Sequence, residues 1–310
     1  MQLANLRRLD GEQCLLAYVV DNTSFLPVAE IAVAAGIELD NDLIDPLRHD
    51  WLQPDNLHRL AEMFAAGATD SIKPLDIREW QLAEPVPRPG KIIAVGRNYM
   101  DHVREGQEIW ARRGRKIEIP EFPSAFAKFA TSLCGPHDDI IIPEGLNDID
   151  YEIELAVVIG KPALNVSEEQ ALSHVAGYTI CNDFATRGIQ RREMEAQIGI
   201  TLSKNFPTFA PMGPWFTSAD AIGDPQSLQL TLEVDGDVRQ HANTADMIFP
   251  VKKLIAYWSR VGLETGDILI TGTPSGVALA RENPQEFFLR RGQLVVARIE
   301  KLGELRNRMR

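Results

Sequence analysis

Residues 150–160 read Asp-Tyr-Glu-Ile-Glu-Leu-Ala-Val-Val-Ile-Gly, so that acidic residues lead directly into an apolar, β-branched segment. An apolar run of this length is typical of a buried strand. Because side chains two apart in a strand point to the same face, Glu152 and Glu154 present two carboxylates side by side. Such a pair suits either the solvated face of an edge strand or a metal site. The stretch predicts a strand and leaves both interpretations open.

Other runs rich in Val and Ile are separated from this strand by Gly, Pro and Asp. They are KIIAVG at 91–96, DIIIP at 139–143, LQLTLEVDGD at 228–237, DILITGTP at 267–274 and QLVVARIEKLG at 293–303. Asp235-Gly236 is a typical hairpin turn. One helix is predicted from Ser167, where Gln170 completes a capping-box pattern, and another over 247–261. Strands at this spacing with few helices predict a β-rich α+β fold.

The N-terminal part of the chain has a different pattern. Residues 13–36 alternate short apolar strings with turn residues, and residues 56–66 carry apolar side chains at helical spacing. This predicts a small α+β domain over 1–75. The proline-rich stretch 76–90 has the composition of a linker. The β-rich domain is then expected over 91–310.

The composition excludes several classes of partner. The chain has 310 residues, and 32 Lys+Arg against 44 Asp+Glu give a net charge of −12, which disfavours binding to nucleic acid or to an anionic membrane. Three distant cysteines without a CxxC pair argue against a disulfide framework and a zinc cluster. No apolar run approaches the roughly 20 residues of a membrane span, and no apolar segment follows the N-terminal arginines. We expect a cytoplasmic protein.

A third carboxylate stands at the end of another apolar run, GYTICND, which closes with Asp183. Three carboxylates without nearby His or Cys make an all-oxygen site that selects Mg²⁺, Mn²⁺ or Ca²⁺. Taken alone, Asp183 suits equally well the N-cap of a following helix. The sequence leaves both roles open.

A second constellation is the His-x-x-Glu pair His102 and Glu105. If helix follows Gly96, the two side chains share one face. A carboxylate bonded to an imidazole prepares the ring to take a proton from water. Exposed pairs of this kind are also common and contribute little, so the pair by itself is weak evidence.

Several polar residues stand out in this acidic chain. Arg187 and Gln190 are one helical turn apart and suit a carboxylate or carbonyl oxygen. Lys128 and Lys204 lie among apolar residues, where a lysine stem also packs along apolar surface. Thr273 belongs to TGTPSG, a turn after a strand that is either a plain tight turn or a source of exposed N–H and hydroxyl groups. P-loop, G-x-G-x-x-G and G-x-S-x-G patterns are absent.

The order and spacing of seven strings resemble the fumarylacetoacetate hydrolase family over about residues 90–310. The strings are GRNYMDHVRE, DYEIELAVVIGK, GYTICNDFATRGIQ, KNFPTFAPMGPW, NTADMIFPVKKLIAYWS, LETGDILITGTPSGV and GELRN. The resemblance implies a mixed β-sandwich or roll for the catalytic domain, preceded by a small N-terminal domain as in bacterial members. It also implies a homodimer.

The resemblance assigns expected roles to individual residues. Glu152, Glu154 and Asp183 match ligands of a divalent metal, usually Mg²⁺ and sometimes Mn²⁺ or Ca²⁺. The expected catalytic residues are His102, Glu105 and Lys204, and the expected substrate contacts are Arg187, Gln190, Thr273 and Lys128.

The implied reaction is hydrolysis of a C–C bond in a small anionic 2,4-diketo acid of the acylpyruvate type. Water activated by His102 and Glu105 would give pyruvate or a related 2-keto acid and a carboxylic acid. Decarboxylation of oxaloacetate and isomerisation of a hydroxyheptadienedioate remain alternatives, because fold and ligands do not separate them. A non-enzymatic binding protein on this fold would have lost the dyad or the carboxylates, and both are present.

The chain departs from the family pattern in two places. After Lys204 the family commonly reads Ser-Phe-Asp, whereas this chain reads Asn-Phe-Pro over 205–207. A long basic segment also follows the dyad, where either a solvated loop or contact with a distal anionic group is expected. Its basic residues are Arg112, Arg113, Arg115 and Lys116.

Overall fold

The computed structural model describes residues 1–310 except 12, 38–44, 46, 48, 66–68, 70–71, 112–117 and 198. The strands are β1 (Gln2–Arg8), β2 (Cys14–Asp21), β3 (Ser24–Pro27), β4 (Trp80–Leu82), β5 (Ile92–Val95), β6 (Ala125–Lys128), β7 (Leu133–Cys134), β8 (Ile149–Asp150), β9 (Ile153–Ile159), β10 (Val175–Asn182), β11 (Ala185–Thr186), β12 (Ala210–Ser218), β13 (Gln229–Val234), β14 (Asp237–Asn243), β15 (Ile268–Ile270), β16 (Leu294–Ile299) and β17 (Gly303–Arg308).

The helices are α1 (Val28–Ala34), α2 (Pro54–Ala65), α3 (Met100–Ala111), α4 (Glu168–Ala171), α5 (Arg187–Glu195), α6 (Ala219–Ile222), α7 (Val251–Trp258) and α8 (Pro284–Phe287). Short 3-10 turns lie at Asp50–Leu52, Ala130–Ser132, Leu172–His174, Leu202–Lys204, Thr244–Asp246, Ser259–Val261 and Ala278–Ala280. Across the described part of the chain, none of the helices combines the length and the apolar character needed to cross a membrane.

The centre of the molecule is a large mixed sheet with the strand order β3-β2-β1-β12-β10-β9-β15-β5-β6, in which β4 also pairs with β1 and β7 with β12. Strand β9 runs antiparallel between β10 and β15. All seven of its residues are buried. A strand covered on both faces has a continuous apolar sequence, which explains the run that follows Glu154.

The two faces of β9 are covered by different layers. Leu155 and Val157 face a core formed with α7 and the four-stranded sheet β14-β13-β16-β17. Ala156 and Val158 belong to the opposite core, which contains apolar side chains of α1 and α2. The sheets therefore pack as a sandwich with helices on the outside. This confirms the predicted β-rich α+β fold of mixed sandwich type.

Local sequence signals predicted several elements correctly. Asp235 and Gly236 form the turn between β13 and β14 with φ of 51° and 89°, as a type I′ hairpin turn requires. Helix α4 follows Ser167 and has the predicted capping box.

Two other predictions need correction. The predicted helix 247–261 begins later, because Pro250 stands at its N-cap. The run 139–143 is not a strand, since its backbone instead bonds to the C-terminal residues 308 and 310.

The N-terminal segment shares the large sheet with the rest of the chain. Leu3 of β1 pairs with Phe216 of β12, and β4, inside the expected linker 76–90, pairs with β1. The segment 1–75 contains the predicted helix near residue 60 as α2. A continuous sheet therefore crosses the expected boundary. The division into a small domain over 1–75, a linker over 76–90 and a catalytic domain over 91–310 stays a prediction.

Candidate active site

Three acidic side chains meet where β9 and β10 run side by side. Glu152 directly precedes β9, Glu154 is its second residue, and Asp183 directly follows β10, whose Cys181 pairs with Glu154. One carboxylate oxygen from each lies within 4.8 Å of the other two, and all three side chains are buried. Glu152 and Glu154 are two positions apart and therefore lie on one face of the strand. The neighbouring β10 brings Asp183 to this pair.

Two cations neutralise part of this charge. Lys204 Nζ donates to Glu152 Oε2 at 2.7 Å and to Asp183 Oδ2 at 2.9 Å. Arg187 Nη2 donates to Glu152 Oε1 at 2.6 Å. Burial alone would raise the pKa of Glu152, but the Lys204 and Arg187 charges dominate and lower its pKa to about 2. Glu152 is therefore an anion at every physiological pH.

Glu154 has a different environment. Its Oε2 accepts a hydrogen bond from Gly272 N at 2.5 Å, and no cation among the described residues lies within ion-pair distance of it. Burial, with Asp183 and Glu152 nearby, raises its pKa well above the usual range. A buried carboxylate without a counter-ion beside two further carboxylate oxygens fits a hard divalent cation. The residues present therefore suit the metal that the resemblance implies.

The predicted dyad lies opposite the carboxylates on α3. His102 Nδ1 is 3.7 Å from Glu105 Oε2, beyond hydrogen-bond distance. Both Glu105 oxygens instead accept from Gly276 N, at 2.9 and 3.1 Å. His102 Nδ1 is buried without a hydrogen-bond partner among the described residues. The unbonded Nδ1 therefore lies on the side of the imidazole that is next to Glu105.

A cavity of about 330 Å³ separates the dyad from the carboxylates. Thr273 lies on its wall, where its Oγ1 donates to Ile153 O at 3.0 Å and accepts from Gln240 Nε2 at 2.9 Å. Gln190 accepts from Arg187 Nη1 at 2.8 Å. The predicted site residues that line the cavity are His102, Glu105, Glu152, Glu154, Arg187, Gln190, Lys204 and Thr273.

Residues 91–310 match the model of the fumarylacetoacetate (FAA) hydrolase C-terminal family. The chain belongs to the fumarylacetoacetate hydrolase family. This places it among enzymes that include hydrolases and isomerases.

Three similar proteins illustrate this range of reactions. The mitochondrial oxaloacetate tautomerase fahd2 of Xenopus laevis is 37% identical over 88% of this chain and 84% of its own length. Maleylpyruvate hydrolase from Sphingobium sp. SYK-6, solved with manganese(II) and pyruvate, is 29% identical with a TM-score of 0.73, covering 100% of this chain and 98% of that one. The 2-hydroxyhepta-2,4-diene-1,7-dioate isomerase of Mycobacterium marinum is 26% identical with a TM-score of 0.69, at 100% and 98% coverage.

The departure from the family pattern at position 205 has a structural role in this chain. Asn205 Nδ2 donates to Ala127 O at 3.1 Å, and its Oδ1 accepts from Phe129 N at 2.5 Å. These groups flank Lys128 on β6. Asn205 therefore fixes the turn that carries Lys204 to the edge strand of the large sheet.

Lys128 does not line the cavity, which differs from its expected contact with substrate. Its Nζ donates to Asp183 Oδ1 at 2.6 Å, to Lys204 O and to Phe209 O at 3.2 Å. The side chain is fully buried. Its ammonium group therefore lies outside the cavity and donates hydrogen bonds to the Asp183 carboxylate and to the Lys204 backbone carbonyl.

Two further acidic residues position the site and were not recognised from the sequence. Asp150 accepts from Arg187 Nε at 2.7 Å and from the backbone N–H of Ala278 and Leu279 at 2.7 and 2.9 Å. Glu193 accepts from backbone N–H groups of the turn that leads to Lys204. Asp150 continues the alternation of Glu152 and Glu154, and that period of two was the available signal. Glu193 offered none, because its partners lie in a separate loop.

The basic residues expected either in a solvated loop or near a distal anion are Arg112, Arg113, Arg115 and Lys116. They lie outside the described residues.

Proposed function

We propose that this family member is a divalent-metal-dependent hydrolase that cleaves the C–C bond between the carbonyls of an acylpyruvate-like 2,4-diketo acid. The products are pyruvate or a related 2-oxo acid and a carboxylic acid. The observation that supports this most directly is that the His102 side chain lines the same cavity as the buried carboxylates Glu152 and Glu154. A base and a charged binding surface on two sides of one cavity suit water attack on a bound anion.

Glu152, Glu154 and Asp183 would hold the cation, with Mg²⁺ or Mn²⁺ as the candidates for this all-oxygen set. When bound, a divalent ion there supplies Lewis-acid polarisation of the 2-oxo acid group. Glu152 stays ionised because Lys204 and Arg187 lie beside it. Gln190 and Thr273 reach the same cavity and orient the substrate oxygens.

His102 takes a proton from water, and the resulting hydroxide attacks the carbonyl distal to the carboxylate of the substrate. The tetrahedral adduct then expels the carbon between the two carbonyls, which leaves with the electron pair as the enolate of the 2-oxo acid. The imidazolium returns its proton to that carbon. Glu105 lies 3.7 Å from the ring, so a small shift away from Gly276 N lets it stabilise the imidazolium charge.

Tautomerisation of oxaloacetate is the second candidate. It needs proton transfer between carbon and oxygen without water attack, and the same base and carboxylate cluster suit it. The name of the Xenopus laevis relative favours this candidate. Decarboxylation of oxaloacetate and isomerisation of a hydroxyheptadienedioate are further reactions that begin from a 2-oxo acid and its enol.

The deciding experiment compares reactions of one purified enzyme with Mg²⁺ or Mn²⁺ present. We expect pyruvate release from acetylpyruvate to exceed both CO₂ release from oxaloacetate and enzyme-dependent decay of the oxaloacetate enol absorbance. Faster enol decay without pyruvate release from acylpyruvates would establish the tautomerase instead. Sedimentation velocity tests the homodimer, which the family resemblance implies and which we propose separately.

A further inference from the structure

The side chains of α3 that line the cavity change from polar to apolar along the helix. His102 and Glu105 face it from the first turns of the helix, and Ile109 faces it one to two turns later. Ile109 follows His102 by seven positions, which corresponds to about 10 Å along a helix. The polar end of this helix face therefore lies near the carboxylates, and the apolar end lies beyond the reacting groups.

Helix α5 repeats this arrangement over the same number of residues. Arg187 and Gln190 are hydrogen-bonded to each other beside Glu152, and Met194 lines the cavity seven residues after Arg187. The Met194 side chain is 39% exposed. Two helices from separate parts of the chain thus present polar groups at one end of a shared cavity and apolar groups at the other.

Other segments complete the apolar end. The further apolar side chains that line the cavity are Phe126, Val277, Leu279 and Ile200. Several of them are only partly buried. Apolar surface that converges on one cavity and stays in contact with water is typical of a site that an apolar ligand group covers.

Among the described residues, few cations are available to hold a charge at that end. Lys204 and Arg187 are bonded to the buried carboxylates, and Lys128 does not reach the cavity. Arg97 is the remaining cation that lines the cavity among the described residues, and it is exposed. An ion pair at an exposed rim changes affinity by no more than about fivefold.

We propose that the distal part of the substrate is an uncharged apolar acyl group of several carbons, bound between Ile109 and Met194. This rests on the proposed function, in which the 2-oxo acid end binds at the carboxylate cluster. Each methylene transferred from water to the apolar end strengthens binding by up to about fourfold. Discrimination therefore comes from acyl length rather than from a second carboxylate.

The test measures kcat/KM with Mg²⁺ for acylpyruvates from acetyl to hexanoyl and for fumarylpyruvate. We expect a two- to fourfold rise for each added methylene until the cavity is filled, with fumarylpyruvate no better than a neutral acylpyruvate of similar length. Calorimetric binding of pyruvate, 2-oxohexanoate and 2-oxooctanoate with Mg²⁺ gives a second readout that requires no turnover.

Variants locate the effect. Met194→Ser weakens binding of 2-oxooctanoate by about fivefold or more and leaves pyruvate unchanged, whereas Arg97→Gln leaves the whole series unchanged. Leu164→Ser is the matched control, because Leu164 is 68% exposed and lies away from the cavity. Thermal melting confirms that each variant is folded.

The outcomes separate the two proposals. Binding that strengthens with chain length, without cleavage of any acylpyruvate, refutes the hydrolase and leaves the apolar site standing. Cleavage without any dependence on chain length refutes the apolar site alone. Preference for fumarylpyruvate by more than tenfold overturns it in favour of an anionic distal group, whether or not Arg97→Gln removes that preference.

Discussion

The two walls of the cavity are built in opposite ways. On the β9 and β10 side, Glu152, Asp183 and Lys204 are buried, and Lys204 Nζ donates to both carboxylates at 2.7 and 2.9 Å. On the α3 side, His102 and Glu105 are partly exposed and separated by 3.7 Å. The first wall fixes charge in one geometry. The second leaves its groups free to change partners, as proton transfer requires.

Because of this difference, residues of the first wall are expected to determine stability and residues of the second wall to determine activity. A buried charge network loses much stability when one member is removed, because the remaining charges keep their desolvation cost. A partly exposed pair loses little, because water replaces the missing partner. Substitutions on the two walls are therefore expected to affect different measurements.

The largest expected effect is on the carboxylate wall. Glu152→Ala leaves Lys204 Nζ and Arg187 Nη2 without one of their partners, and we expect the free energy of unfolding to fall by about 3–5 kcal/mol. Urea denaturation measures this. Glu105→Ala is the matched carboxylate on the other wall, and a change of equal size there would remove the contrast between the walls.

The next effect is on chemistry alone. His102→Ala removes the proposed base, and we expect turnover to fall about 10²-fold or more while metal content and melting temperature stay as in the parent protein. Steady-state kinetics and metal analysis of the same sample are the measurements. Near-parent turnover on the true substrate would remove His102 from the mechanism.

The third effect is a pH dependence that belongs to Glu154. Its pKa in the folded, metal-free protein lies well above the usual 4.5, so the folded protein holds a proton that the unfolded chain releases. The free energy of unfolding of EDTA-treated protein should therefore fall as pH rises above about 5, by up to about 1.4 kcal/mol per pH unit. Glu152, with a pKa of about 2, is ionised in both states there and adds no slope.

Urea denaturation at pH 5.5, 6.5 and 7.5 measures that slope. Glu154→Gln carries no titrating proton and should flatten it, and saturating Mg²⁺ should also remove the decline, because the cation replaces the proton. A slope that survives unchanged in Glu154→Gln would assign the pH dependence to another group.

The smallest effect is expected at Glu105. In Glu105→Gln the amide oxygen still accepts from Gly276 N, so we expect the free energy of unfolding to change by less than about 1 kcal/mol. The neutral side chain stabilises an imidazolium less, so turnover should fall by about tenfold. Unfolding and kinetics measured on the same variant separate these effects, and a loss of several kcal/mol would show that this wall is rigid too.

Signals that act over a few residues could be read from the sequence. The alternation of Glu152 and Glu154 along one strand and the Asp235-Gly236 turn depend on local geometry, and the structure has both arrangements. The contact of Lys128 with Asp183 could not be derived, because 55 positions separate the two residues. The same holds for the pairing of β1 with β12, which requires the whole sheet. Distant partners are set by packing that no short pattern contains.

The Asn205 side chain also matters for the surface of the molecule. Strand β6 ends the large sheet, and the open edge of a sheet attracts strands of other chains. The Asn205 amide bonds a carbonyl and an N–H of this edge, as a neighbouring strand would. One side chain thus occupies two backbone groups at the margin of the sheet that would otherwise be open to pairing with another strand.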